Sequence, residues 1–169
     1  MAMSILVTGG ARSGKSHYAE QRTRELGSAP VYIATAEAFD AEMADRIAQH
    51  QKRRGPEWQT INAPLDLSQA LREADGRGPC LVDCLTIWLN NLMYHERDIA
   101  AATQALISVI HKRVDPVILV TNEVGSGIVP ENALARRFRD EAGRMNQTMA
   151  EAVDEVYVSI SGIPLKLKP

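Results

Sequence analysis

Gly9-Gly10-Ala11-Arg12-Ser13-Gly14-Lys15-Ser16 fills the pattern G-x-x-x-x-G-K-[ST] in full. The turn follows the apolar run Ile5-Leu6-Val7 and precedes a helical stretch opening at Lys15. A strand that ends in a glycine-rich turn ahead of a helix aims backbone N–H groups, and the positive helix end, at one anion-sized hollow. Glycines let the backbone close around a phosphate. The Lys15 ammonium suits the β and γ phosphates of a nucleoside triphosphate, and the Ser16 hydroxyl suits Mg²⁺. In a chain of 169 residues a chance match is expected about one time in a hundred or less at average composition. Gly9, Gly10, Ala11, Arg12, Ser13, Gly14, Lys15 and Ser16 are therefore candidate nucleotide-binding residues, with Lys15 also catalytic.

Outward from this turn, β-rich runs alternate with helical ones. Strands are expected at 4–8, 31–35, 59–62, 80–83, 117–122 and 155–161, and helices at 15–26, 41–53, 67–74, 85–94, 100–113 and 132–153. Several strands are continuous apolar runs, as in a parallel sheet covered on both faces by helices. Asp66 is placed to cap the third helix, and Pro130 to precede the last. The segment after Ser161-Gly162-Ile163-Pro164 is expected to return as an antiparallel edge strand at 165–167. The fold class is thus α/β: a P-loop, RecA-like, mostly parallel sheet with helices on both faces, forming one domain over 1–169. A P-loop also calls for an acid at the carboxyl end of a neighbouring apolar strand. Cys80-Leu81-Val82-Asp83 supplies it, making Asp83 the natural Mg²⁺ partner of Ser16, with a helix N-cap as its competing role.

Composition narrows the partners. Hydrophobic residues at 45% and charged residues at 24% suit one domain with a sizeable core. A formal net charge of -2 gives no field to attract nucleic acid or an anionic membrane, so the expected partner is a small molecule. No export signal or apolar stretch of membrane-spanning length is present in the 169 residues, which reads as a cytoplasmic protein. Cys80 and Cys84 are four apart in a segment beginning as a strand, about 13 Å between Cα atoms, too far for a disulfide. Buried reduced thiols are the expectation.

The strand at 117–120 runs into Thr121-Asn122-Glu123-Val124, not the Asn-Lys-x-Asp of guanine-reading switches. A small-molecule kinase, or something more unusual, remains. The helix at 41–53 carries Met43, Ile47 and His50 at spacings of four and three, which puts the imidazole on the apolar, inward face. Gln51, Lys52, Arg53 and Arg54 follow as a basic cluster. Such a cluster binds a second set of phosphates, and a neutral imidazole attacks an α-phosphate. The residues alone equally allow a solvated helix cap.

At this point the sequence resembles the bifunctional adenosylcobinamide kinase/adenosylcobinamide-phosphate guanylyltransferases of cobalamin biosynthesis, over nearly the whole chain. The resemblance rests on Ile5 to Ser16, on Tyr32-Ile33-Ala34-Thr35-Ala36, and on Glu42-Met43 with Arg46-Ile47 and His50. It continues in Thr121-Asn122-Glu123-Val124-Gly125 onward, in Arg137-Phe138-Arg139-Asp140, and in Asn146-Gln147. The sequence departs at Gln49, where some relatives carry a second histidine, and Asp83 is Glu in others.

The resemblance implies that His50 is the nucleophile that carries covalent GMP. It implies guanine-nucleotide contacts from Ala34, Thr35, Ala36, Gln51, Lys52, Arg53, Arg54 and Asn62. It also implies Mg²⁺, ATP and GTP as substrates, adenosylcobinamide and its phosphate as acceptors, and a homotrimer. The segment 122–131 is expected to form part of the corrinoid site, since ligands of open α/β sheets lie beyond the carboxyl ends of strands. Two alternatives stand beside this reading: a single-activity metabolite kinase, which leaves His50 idle, and a nucleotide-gated binding module, which needs more basic surface.

Overall fold

Unbroken apolar runs build the centre of the sheet. The computed structural model describes residues 2–169, the side chain of Arg46 excepted. Its strands are β1 (Ser4–Gly9), β2 (Val31–Ala34), β3 (Gln59–Asn62), β4 (Cys80–Asp83), β5 (Val117–Val120), β6 (Glu155–Ile160) and β7 (Ile163–Lys168). They form one sheet in the order β3-β2-β4-β5-β1-β6-β7, parallel except for the antiparallel pair β6 and β7. All four residues of β2 and of β5 are buried, which is why neither shows polar alternation.

The helices are α1 (Lys15–Glu25), α2 (Ala41–Arg54), α3 (Leu67–Ala74), α4 (Leu85–Tyr94), α5 (Ile99–Ile110) and α6 (Ala133–Ala152). Successive strand residues point to opposite faces, so Leu6 joins a core built with α3, α4, α5 and α6, while Ile5 and Val7 join a smaller one with Ala19 of α1 and Trp58. Helices thus cover both faces, four of them on one side.

Boundaries differ where capping decides them. Asp40, Asp98 and Asn132 accept backbone N–H groups at the starts of α2, α5 and α6. Asp66 occupies the N-cap position of α3, but its carboxylate makes no capping hydrogen bond; its backbone carbonyl takes that role, accepting from the N–H of Gln69 and Ala70. Both cysteines are free and buried, and burial pushes each thiol up to about 11, a range in which thiols are unreactive. Among the described residues no helix is long and apolar enough to cross a membrane.

Candidate active site

The turn from β1 to α1 is closed by sterics as much as by hydrogen bonds. A Cβ on Gly9 would stand 2.5 Å from Ser13 Oγ and 2.6 Å from the Ser159 carbonyl oxygen, so only glycine fits. Gly14, the N-cap of α1, has φ of 90°, in the left-handed region, and a Cβ there would lie 3.0 Å from Gly162 Cα. The β6–β7 turn braces the loop from outside: Ser159 Oγ and Gly162 N both donate to the Ser13 carbonyl, at 2.7 and 2.8 Å. Lys15 Nζ donates to the Gly10 carbonyl at 2.9 Å, which holds the ammonium across the hollow.

Beside the loop, β4 ends on Asp83, in register with Ala34 of β2 and Val120 of β5. Burial raises its carboxyl above the usual range, while hydrogen bonds from the Ser16 and Tyr32 hydroxyls and the nearby His50 and Lys15 pull it back. Tyr32 is itself raised, chiefly by burial. The Arg54 guanidinium stacks 3.3 Å over the Tyr32 ring and is 2% exposed, yet its Nε and Nη1 have no partner within the described protein.

The Ser16 hydroxyl and Asp83 carboxylate make an oxygen pair of the kind a hard divalent cation prefers. No cluster of three or more His, Cys, Asp or Glu side chains occurs among the described residues, so such a cation would complete its shell with water and phosphate oxygens.

These groups open onto a cavity of about 760 Å³ at the carboxyl edge of the sheet, roofed by α2. Arg12 to Ser16 form one wall, and Met43, Ile47 and His50 of α2 form the other. A family model described as cobinamide kinase / cobinamide phosphate guanyltransferase matches residues 5–167 of this chain. The chain belongs to that family.

Full-length relatives agree. The bifunctional adenosylcobalamin biosynthesis protein CobP of Pseudomonas aeruginosa is 44% identical, with 98% of each chain covered. The bifunctional protein CobU is 41% identical in Escherichia coli and 43% in Salmonella typhimurium, covering 98% of this chain and 100% of theirs. Among solved structures, a Pyrococcus horikoshii protein of 6% identity gives a TM-score of 0.56, over 98% of this chain and 86% of that one. A KaiC-like protein from the same organism, 15% identical, gives 0.51, over 92% and 71%. At such identities these two speak to the fold alone.

In this cobinamide kinase / guanyltransferase family member, the cavity gathers Arg12, Ser13, Gly14, Lys15, Ser16, Ala34, Ala36, His50, Gln51, Arg53, Arg54 and Asp83. Gly9, Gly10 and Ala11 lie in the loop but outside the lining. His50 is exposed, because α2 spans open space there instead of resting on a packed core. The basic cluster splits: Arg54 turns inward, Arg53 pairs with Glu20 at 3.3 Å, and Lys52 is exposed outside the lining.

Thr35 is fully buried. Its Oγ1 donates to the Cys84 carbonyl at 2.8 Å and accepts from Cys84 N–H at 2.9 Å, clasping β2 to the end of β4. Asn62 is exposed at the end of β3 and lies outside the lining.

Tyr32 and Asn122 line the cavity as well and were not singled out as nucleotide-site residues from sequence. Tyr32 shares a strand face with Ala34 at a spacing of two, a signal that could have found it. Asn122 follows β5 as Asp83 ends β4, and its Oδ1 is buried without a partner among the described residues. Of the segment 122–131, only Asn122 lines the cavity.

Proposed function

We propose that the chain phosphorylates adenosylcobinamide and then converts the product to adenosylcobinamide-GDP. In the first step the acceptor hydroxyl oxygen bonds to the γ-phosphorus of ATP or GTP, held by the loop amides and Lys15, as the bond to the β,γ-bridging oxygen breaks; ADP or GDP leaves and the hydroxyl proton passes to solvent. Bound at Ser16 and Asp83, Mg²⁺ would supply charge neutralisation on the phosphate oxygens. Arg54 offers its unpartnered Nε and Nη1 to the same phosphates.

In the second step a His50 ring nitrogen attacks the α-phosphate of GTP and pyrophosphate leaves. The acceptor phosphate then attacks the histidine-bound phosphorus, freeing His50 and taking the GMP. The reading covers the whole chain as one nucleotide-binding domain, a cytoplasmic location and a homotrimer.

The observation that carries it is that His50 and the Lys15 loop face one cavity, so the same phosphate tail is within reach of both. Incubation with α-labelled GTP tests it. The wild-type protein takes up acid-labile, base-stable label, and His50→Ala takes up none; equal labelling of the two would remove His50 from the chemistry.

A further inference from the structure

Two aromatic rings stand in the open beside the cavity. Among the described residues Phe39 and Tyr94 are the only exposed large aromatics, at 69% and 74%, and their centroids are 6.4 Å apart. Tyr94 lies seven residues along α4 from Ile87, on the same helix face and about 10 Å away. Ile87 itself is a cavity wall residue, and so is Ala36, at most about 10 Å of chain from Phe39.

The connection is held at its root, where Asn91 Nδ2 donates to the Thr35 and Pro64 carbonyls at 2.8 and 2.9 Å. Glu37 and His95 meet at 3.9 Å and give the strip a polar margin. A surface thus runs along α4 from the wall of the phosphate cavity, past the exposed Asn90, to two adjacent rings, and a buried amide anchors it.

We propose that Phe39, Tyr94 and Ile87 form the docking platform for the acceptor, a large flat macrocycle whose hydroxyl-bearing arm reaches into the cavity. This rests on the function proposed above and assigns the acceptor's place within it. Exposed apolar side chains beside a binding cavity suit a ligand with an apolar face and a polar end. Aromatic rings favour offset stacking against flat π systems. The platform of two rings and one isoleucine offers at most about 150–250 Å² per ring, short of the roughly 800 Å² per partner that a stable protein interface buries. It sits on the α2 and α4 side of the cavity, which makes that side, and not the segment beyond Asn122, the main corrinoid surface.

Steady-state phosphorylation of adenosylcobinamide by a Phe39→Ser/Tyr94→Ser variant is the test. Its KM for adenosylcobinamide rises about tenfold, while kcat and the nucleotide KM change less than about twofold. Val114→Ser, which removes an equally exposed side chain at the amino edge of the sheet, leaves the adenosylcobinamide KM as it is. Equilibrium dialysis of adenosylcobinamide against Tyr94→Ser shows a smaller loss in the same direction.

An unchanged adenosylcobinamide KM in the double variant overturns the platform, as does an altered oligomeric state with unchanged KM. A wild-type protein that neither binds nor phosphorylates adenosylcobinamide defeats the proposed function itself, before any variant is compared, and the platform with it.

Discussion

Gly14 is the residue at which conformation and ligand chemistry are least separable. Its φ of 90° turns the chain so that α1 begins with N–H groups facing the hollow, and Gly162 packs where a Cβ would go. Gly14→Ala is expected to cost about 1–2 kcal/mol in urea unfolding and to weaken nucleotide binding as well. A variant as stable and as tight as wild type would show that the left-handed backbone is not required.

Asp83 poses the opposite balance. Burial disfavours its charge, and the Ser16 and Tyr32 hydroxyls only partly compensate. Asp83→Asn keeps the shape and removes the buried charge. Phosphoryl transfer should fall about 10²–10³-fold while the thermal midpoint without nucleotide does not fall. A marked drop in that midpoint would make Asp83 a structural residue instead.

At the scale of elements, the neighbouring strands β1 and β6 are stapled at the amino edge of the sheet. Asp154, just before β6, accepts from Ser4 N–H at 2.8 Å and Ser4 Oγ at 2.7 Å, and these bonds lower its carboxyl below the usual range. A depressed folded-state pKa gives stability that is present above the unfolded value near 4 and lost as pH falls through the folded one. Asp154→Ala is expected to lose about 0.5–1 kcal/mol at pH 7, the low end for a solvent-screened site. Urea titrations should show the gap to wild type closing in acid. A gap independent of pH would mean that packing, and not the charge, supplies the effect.

The elements were largely legible in the sequence because hydrophobic period and glycine–proline punctuation coincide. The P-loop turn, β4 and α4 needed nothing else. Capping was less legible: Asp66 has the right residue type but the wrong geometry, whereas Asp40 and Asp98 cap through carboxylates that periodicity did not flag. What the apolar face of α2 meets was beyond pattern reading, since a helix over a cavity and a helix over a core share one periodicity.

On the scale of the molecule, parallel strands bring every carboxyl end to one edge, and the site is assembled there from β1, β2, β4, β5 and α2. The contiguous motif made the loop readable. Asn122 was harder as a member of the nucleotide site, because it joins from the end of β5 through strand order, and the basic cluster could be named but not which of its members, Arg54, turns inward. Thr35 illustrates the converse: adjacent in sequence to cavity residues, it spends its hydroxyl inside the sheet.

The central claim is that the Gly9–Ser16 turn holds a polyphosphate tail, with Lys15 as its counter-charge. Calorimetric titration of GTP and ATP into the magnesium-containing protein, wild type against Lys15→Ala, tests it most directly. Clear binding by wild type and a loss of at least about tenfold in the variant is the predicted result. Equal affinity in the two proteins, or none in either, would contradict it.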